Sequence, residues 1–303
     1  MAKNVFFSDS DELLDIRHDH VFKAVFSGET PASRGALSAL ISAFIGYDVT
    51  VASISANEPP VNDTRDRNIR FDISCKTETG ELVNIEMSLE PDSCELARFE
   101  YYSGKLFTRQ EIQGSKRNYG DLCRSYQIGI LAGRRFFEDD ALVHTFQYYD
   151  PEHKFFLGGK SRIITIELRK AELIVEKPIP ELATQEAWAV FFQYLTDKGK
   201  RAKINEIIQS EGGIKMASEA IITITQEDRE WARRLSEEKY ILDMQSKEVT
   251  AERKGLAKGR EEGLAKGREE GLREAAKNLK ARGVSFEIIA QSTGLSMEEV
   301  AKL

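Results

Sequence analysis

The chain has 303 residues, room for about two domains, and its 41% hydrophobic content is enough for a packed core. Its formal net charge of -7 excludes a chain that is basic throughout, though a local basic patch fits within that sum. No apolar run approaches the roughly 18 residues of a membrane span. No leader-like segment opens the chain, and Cys75, Cys94 and Cys123, without a C-x-x-C pair, read as reduced cytoplasmic thiols.

In chain order, residues 15–45 read as helices. Val21, Phe22, Val25 and Phe26 form an apolar stripe that Ser27-Gly28 ends, and a helix rich in Ala and Leu restarts over 31–44. Residues 49–56 alternate and are β-branched, as in a strand. A hairpin follows. Phe71, Ile73 and Cys75 alternate with Arg70, Asp72 and Ser74, and Val83, Ile85, Met87 and Leu89 alternate with Asn84, Glu86, Ser88 and Glu90. Glu78-Thr79-Gly80 fits a three-residue loop with Gly80 at positive φ. If Thr77 pairs with Glu81, Asp72 stands opposite Glu86 on one face, with Cβ atoms about 5 Å apart. Polar residues on one hairpin face are commonly just solvated. Two carboxylates this close, however, repel unless a cation such as Mg²⁺ lies between them.

Residues 94–112 form an amphipathic helix with Leu96, Phe99, Tyr102, Leu106 and Phe107 inward. Strands follow over 126–131, 143–149 and 163–168, so the order indicates an α/β core with a mixed sheet. From residue 185 the chain turns helical, with an apolar cluster of Trp188, Val190, Phe191, Phe192 and Leu195; from 227 a charged helix carries Trp231 and Leu235. The segment Gly255-Leu-Ala-Lys-Gly-Arg-Glu-Glu262 then repeats from Gly263, with a period that gives no heptad seam. Pairs such as Glu262–Lys266 and Glu269–Arg273 support a helix, while each glycine weakens it by about 1 kcal/mol. The reading is a solvated spacer, with a weak dimer helix or a DNA-contacting arm as alternatives. In the tail, Ser296 and Glu299 form a capping box with Leu295 and Val300 as its staple. Ser285 caps a second helix with Val284 and Ile289, and Gly283 and Gly294 stop the helices before them. This resembles a helix-turn-helix, but Lys302 is its only basic residue, which favours a packing or oligomerisation module over a DNA reader.

Taken together, Asp19-His-Val-Phe-Lys23, Phe71-Asp72-Ile73 and Asn84-Ile-Glu86-Met87 resemble the signature of the PD-(D/E)XK nuclease family of transposases, also called recombination-promoting nucleases. The resemblance runs on through Arg98-Phe-Glu-Tyr-Tyr102, Gln110, Gly114, Tyr119, Tyr126-Gln-Ile-Gly-Ile130, Ile166-Glu-Leu-Arg-Lys170, the repeat and Thr293-Gly-Leu-Ser-Met-Glu-Glu299. It implies a restriction-endonuclease-like αβββαβ core with a mixed sheet and an α-helical C-terminal extension. The divisions are a nuclease-like core over 1–175, a helical extension over 176–250, a charged repeat linker helix over 251–282 and a small helix-turn-helix-like tail over 283–303. It also implies Mg²⁺-dependent cleavage of DNA, with Mn²⁺ as a substitute, in a mobile-element or recombination setting. Asp72 and Glu86 are then the metal ligands, Asp19 and Lys23 support them from the first helix, and Arg98, Tyr102 and Gln110 contribute contacts and packing. Asp19 and Lys23 also fit an ordinary helix ion pair. Cutting both strands needs two sites, which a homodimer would supply; neither a membrane nor an organic cofactor is implied. The family places Lys, or often Gln, two residues after the Glu, and here that position is Ser88. Arg70, expected opposite Ser88, or Lys23 would then substitute; otherwise the scaffold serves as a catalytically impaired DNA-binding or regulatory protein.

Overall fold

The computed structural model describes residues 6–55, 71–110 and 118–303, with only some side chains within 226–250. Arg70 and Gly114 lie outside the described residues, as do the outer ends of the expected 49–56 strand and 94–112 helix and the side chains of Trp231 and Leu235. The chain separates into two compact units, Met1–Lys239 and Tyr240–Leu303.

In the first unit, α1 (Asp19–Phe26) and α2 (Pro31–Ile45) come first. The α2 start follows from local chemistry: Thr30 accepts from Ser33 N–H at 3.0 Å, and Pro31 occupies a position where no N–H is needed. Next come β1 (Val51–Ile54), β2 (Ile73–Thr77), β3 (Leu82–Ser88), α3 (Glu95–Thr108) and β4 (Ser125–Leu131), the expected αβββαβ order. After them lie β5 (Val143–Phe146), the two-residue strands β6 (Tyr149–Asp150) and β7 (Phe155–Phe156), and β8 (Ser161–Glu167). The main sheet has the order β1-β2-β3-β4-β8-β5; β3, β4 and β8 are parallel and the other pairings antiparallel. The helices α4 (Thr184–Tyr194), α5 (Arg201–Ser210) and α6 (Gly212–Thr223) complete the unit.

The two faces of the sheet differ in chemistry. Ile73, Cys75, Val83, Ile85, Met87, Tyr126, Ile128, Ile130, Ile164 and Ile166 join one apolar core with α1, α2 and α4 to α6, built around Phe22, Phe26, Trp188 and Phe192. Each such large side chain contributes about 1.5–3 kcal/mol by leaving water. The helices after residue 176 therefore belong to the same core as the sheet. The opposite face carries Ser74, Asn84, Glu86, Ser88, Gln127, Thr165 and Glu167, and every one of them is buried. This face is covered rather than solvated, because α3 lies across β3, β4 and β8. Gly129 permits the close approach: a Cβ there would stand 2.2 Å from the ring of Phe99.

Phe71 corrects the alternation. It packs with Tyr102 and Leu106 on the α3 side, at 5.4 Å between the Phe71 and Tyr102 rings, whereas Ile73 and Cys75 face the main core. The chain bends at Asp72, before β2 begins, so period-2 ordering starts only at Ile73. On α3, Phe99, Tyr102 and Leu106 are buried as expected, while Leu96 and Phe107 are half-buried.

In the second unit the repeat lies within α7 (Gln226–Ala281), and Leu256 and Leu264 are exposed. Arg273 pairs with Glu269 at 3.0 Å, and Glu262 meets Lys258 at 3.8 Å in place of the expected Lys266. The end of α7 packs with α8 (Phe286–Thr293) and α9 (Met297–Lys302) through Ala276, Ile289 and Val300. The Ser296–Glu299 capping box forms, and Leu295 and Val284 join the cluster. Ser285 occupies the N-cap of α8, but its side chain makes no capping bond, so only half of that expectation holds. Among the described residues no helix is long and apolar enough to cross a membrane.

Candidate active site

The hairpin register positions the site. Thr77 N–H donates to the Glu81 carbonyl at 3.0 Å, Ile73 pairs with Ile85, and Gly80 has φ +96°. One step beyond Ile73–Ile85, Asp72 faces Glu86. There the ladder ends in a reciprocal clasp: Asp72 N–H donates to Glu86 Oε1 at 3.0 Å, and Met87 N–H donates to Asp72 Oδ2 at 3.0 Å. Each carboxylate lies within hydrogen-bond reach of the other's strand, and both residues are fully buried.

From α1, Lys23 reaches the same place. Its Nζ lies 3.2 Å from Asp72 Oδ1 and 2.9 Å from Asp19 Oδ2, and it is 1% exposed. The i,i+4 pair of α1 is therefore continuous with the hairpin carboxylates, beyond an isolated helix ion pair. Ser88 is buried two residues beyond Glu86. Asn84 and Gln127 extend the network: Asn84 Nδ2 donates to Glu86 Oε1 at 3.1 Å and to Gln127 Oε1 at 2.7 Å. Sequence reasoning passed over these two amides as site residues. Their signal was a polar side chain inside an apolar strand run, where burial demands a partner.

The remaining expected residues hold the framework. Arg98 pairs with Glu95 and lies 5.9 Å from the Tyr102 ring centre; Tyr102 packs on Phe71. Gln110 clamps the entry to β4, its Nε2 donating to the Cys123 carbonyl at 3.0 Å and its Oε1 accepting from Cys123 N–H at 2.7 Å. That entry adjoins Ser125, whose partner on β3 is Leu82, four residues from Glu86.

The donors at the clasp are carboxylate oxygens, the hard ligands that suit Mg²⁺. Among the described residues no group of three or more His, Cys, Asp or Glu is arranged to hold a metal. A site of two carboxylates nonetheless fits Mg²⁺, which keeps several waters and takes substrate phosphate oxygens as its other ligands.

A sequence profile described as PD-(D/E)XK nuclease family transposase matches residues 16–251, a span holding α1, the hairpin and the whole sheet. The chain belongs to that family. The six-stranded mixed sheet with helices on both faces agrees with a PD-(D/E)XK nuclease-like fold. Neither the curated proteins nor the solved structures contain a match to the chain.

Proposed function

We propose that this PD-(D/E)XK family member is a Mg²⁺-dependent DNA endonuclease of the mobile-element and recombination type, acting in the cytoplasm, with Asp72 and Glu86 as the metal ligands. The observation that carries the reading is the buried clasp of two carboxylates on adjacent strands with the Lys23 ammonium on one of them. A divalent ion at such a pair supplies Lewis acidity toward the scissile phosphate and a bound water of lowered pKa. The residues around it divide the remaining tasks. Asn84 orients Glu86 through its amide. Asp19 holds Lys23 in place from one turn earlier on α1. Lys23 brings to the pair the positive charge that the family's lysine would supply at position 88. A homodimer would present two such sites to the two strands of a duplex.

Nicking of supercoiled plasmid with Mg²⁺ or Mn²⁺ tests this. Wild type is expected to nick, and Asp72→Ala and Glu86→Ala to abolish nicking; cleavage persisting in both variants removes the assignment. Ser88 favours a second reading, a catalytically impaired DNA-binding or regulatory protein. It predicts DNA binding without cleavage, and recovery of cleavage in Ser88→Lys or Ser88→Gln.

A further inference from the structure

The hairpin turn, the C-terminal end of α3 and the loop entering β4 line an open-sided cavity of about 520 Å³, walled in part by Ser55, Ser74, Lys76, Arg109, Asn118 and Asp121. Arg109 closes α3 and is half-buried. Its Nη1 donates to Ser74 Oγ at 3.3 Å, and its guanidinium carbon lies 5.9 Å from the Phe71 ring centre. Burial pushes Arg109 below the ordinary arginine range, and no acidic neighbour among the described residues pulls it back. Lys76 is exposed at the same wall and makes no ion pair among the described residues. Asp121, the acidic residue of the lining, spends Oδ2 on Asn118 N–H at 2.9 Å. The Ser74 hydroxyl accepts from Arg109 and so keeps its own proton to donate. The cavity is thus rich in donors and cationic. A guanidinium withdrawn from water without an anion is costly, and its planar fork matches phosphate oxygens.

We propose that this cavity binds a non-scissile phosphate of the DNA backbone, with Arg109 and Lys76 as the contacts. The choice of DNA as the source of the phosphate rests on the nuclease reading above; the anion site rests on the cavity alone. Ser74 lies two residues along the chain from Asp72, at most about 7 Å away.

The test uses the full chain and a short labelled duplex, followed by fluorescence anisotropy over a salt series without divalent ions. Lys76→Ala and Arg109→Ala are each expected to weaken binding several-fold at low salt. Each is also expected to lower the slope of log affinity against log salt by about 1. Lys76 is exposed, so its variant remains informative if Arg109→Ala unfolds. Unchanged affinity and slope in Lys76→Ala and in a folded, charge-removing Arg109→Gln variant would overturn the proposal, as would failure of wild type to bind duplex at low salt. Inorganic phosphate that protects the wild-type cavity against heat, with no change in duplex binding in either variant, would replace DNA by free phosphate. Altered slopes in a protein that never nicks plasmid would leave the phosphate site standing and remove only the nuclease reading.

Discussion

Among the described residues, two lysine–carboxylate clusters buried at the sheet differ in how many carboxylates they enclose. At the end of β8, Glu167 accepts the N–H groups of Phe136 and Phe137 and pairs with Lys170, whose ammonium also meets Asp139 Oδ1 at 3.1 Å and the Ala141 carbonyl at 3.0 Å. A single enclosed carboxylate is there matched to a single enclosed ammonium, and the result is a clamp on the loop between β4 and β5. At the end of the hairpin, two enclosed carboxylates meet on neighbouring strands, with Lys23 on one of them. Glu167 and Glu86 are equally buried, so burial of a charge does not by itself distinguish a site from a staple. On the reading proposed above, the difference is the second enclosed carboxylate, whose charge a bound cation would offset.

The contrast can be broken most directly at the clamp. Lys170→Met leaves Glu167 buried without its counter-charge and is expected to cost about 3–5 kcal/mol, read by urea denaturation; a loss under about 1 kcal/mol would make the clamp energetically idle. At the clasp the expected sign is opposite. Glu86→Gln removes one of two like charges and leaves stability equal or higher, but abolishes the gain from metal. That gain in wild type reaches about 2.7 kcal/mol at a hundredfold excess over Kd, seen as a rise in Tm with Mn²⁺. Equal Mn²⁺ stabilisation of both proteins would place the ion elsewhere. Gly129→Ala probes the covered polar face between the clusters: a Cβ there meets Phe99 at 2.2 Å, for an expected cost of about 1–3 kcal/mol in the same denaturation assay. The smallest effect concerns the apolar face. Burial pushes the Cys75 thiol up to about 12, so at pH 8 it stays protonated and resists iodoacetamide while exposed Cys94 labels, as peptide mass spectrometry would show. Labelling of Cys75 in the native protein would contradict that burial.

The hairpin was legible because two independent signals agreed, alternation along both strands and a glycine where the loop needs positive φ. Together they fixed the pairing of Asp72 with Glu86 without reference to anything distant in the chain. What lay beyond the strands was less accessible. Phe71 continues the alternating pattern, yet the bend at Asp72 turns it to the other face, and a bend leaves no mark on periodicity. A solvated polar face stood as one of two sequence readings, because hydrophobic patterning cannot tell a surface covered by water from one covered by α3 through small and amide side chains. Gln110 was read with the site, whereas its contacts tie it to the Cys123 backbone; a resemblance carries residue types but not their partners. The docking of α4 to α6 onto the α1–α2 side depends on contacts between residues far apart in sequence, such as Phe26 with Trp188, which no local pattern encodes.

The turn at Gly80 sets which residues of β2 and β3 stand opposite each other. A Cβ at this position would also come within 3.0 Å of Cys123 Sγ, so the turn is bounded in side-chain size as well as in backbone angle. Because side chains alternate along a strand, a one-residue slip of β2 against β3 would set an aliphatic neighbour of Glu86 opposite Asp72. Exchanges at Thr79 keep the count and leave the pair intact. A slip of even one residue in strand pairing would separate the two carboxylates while leaving every acidic residue in the sequence.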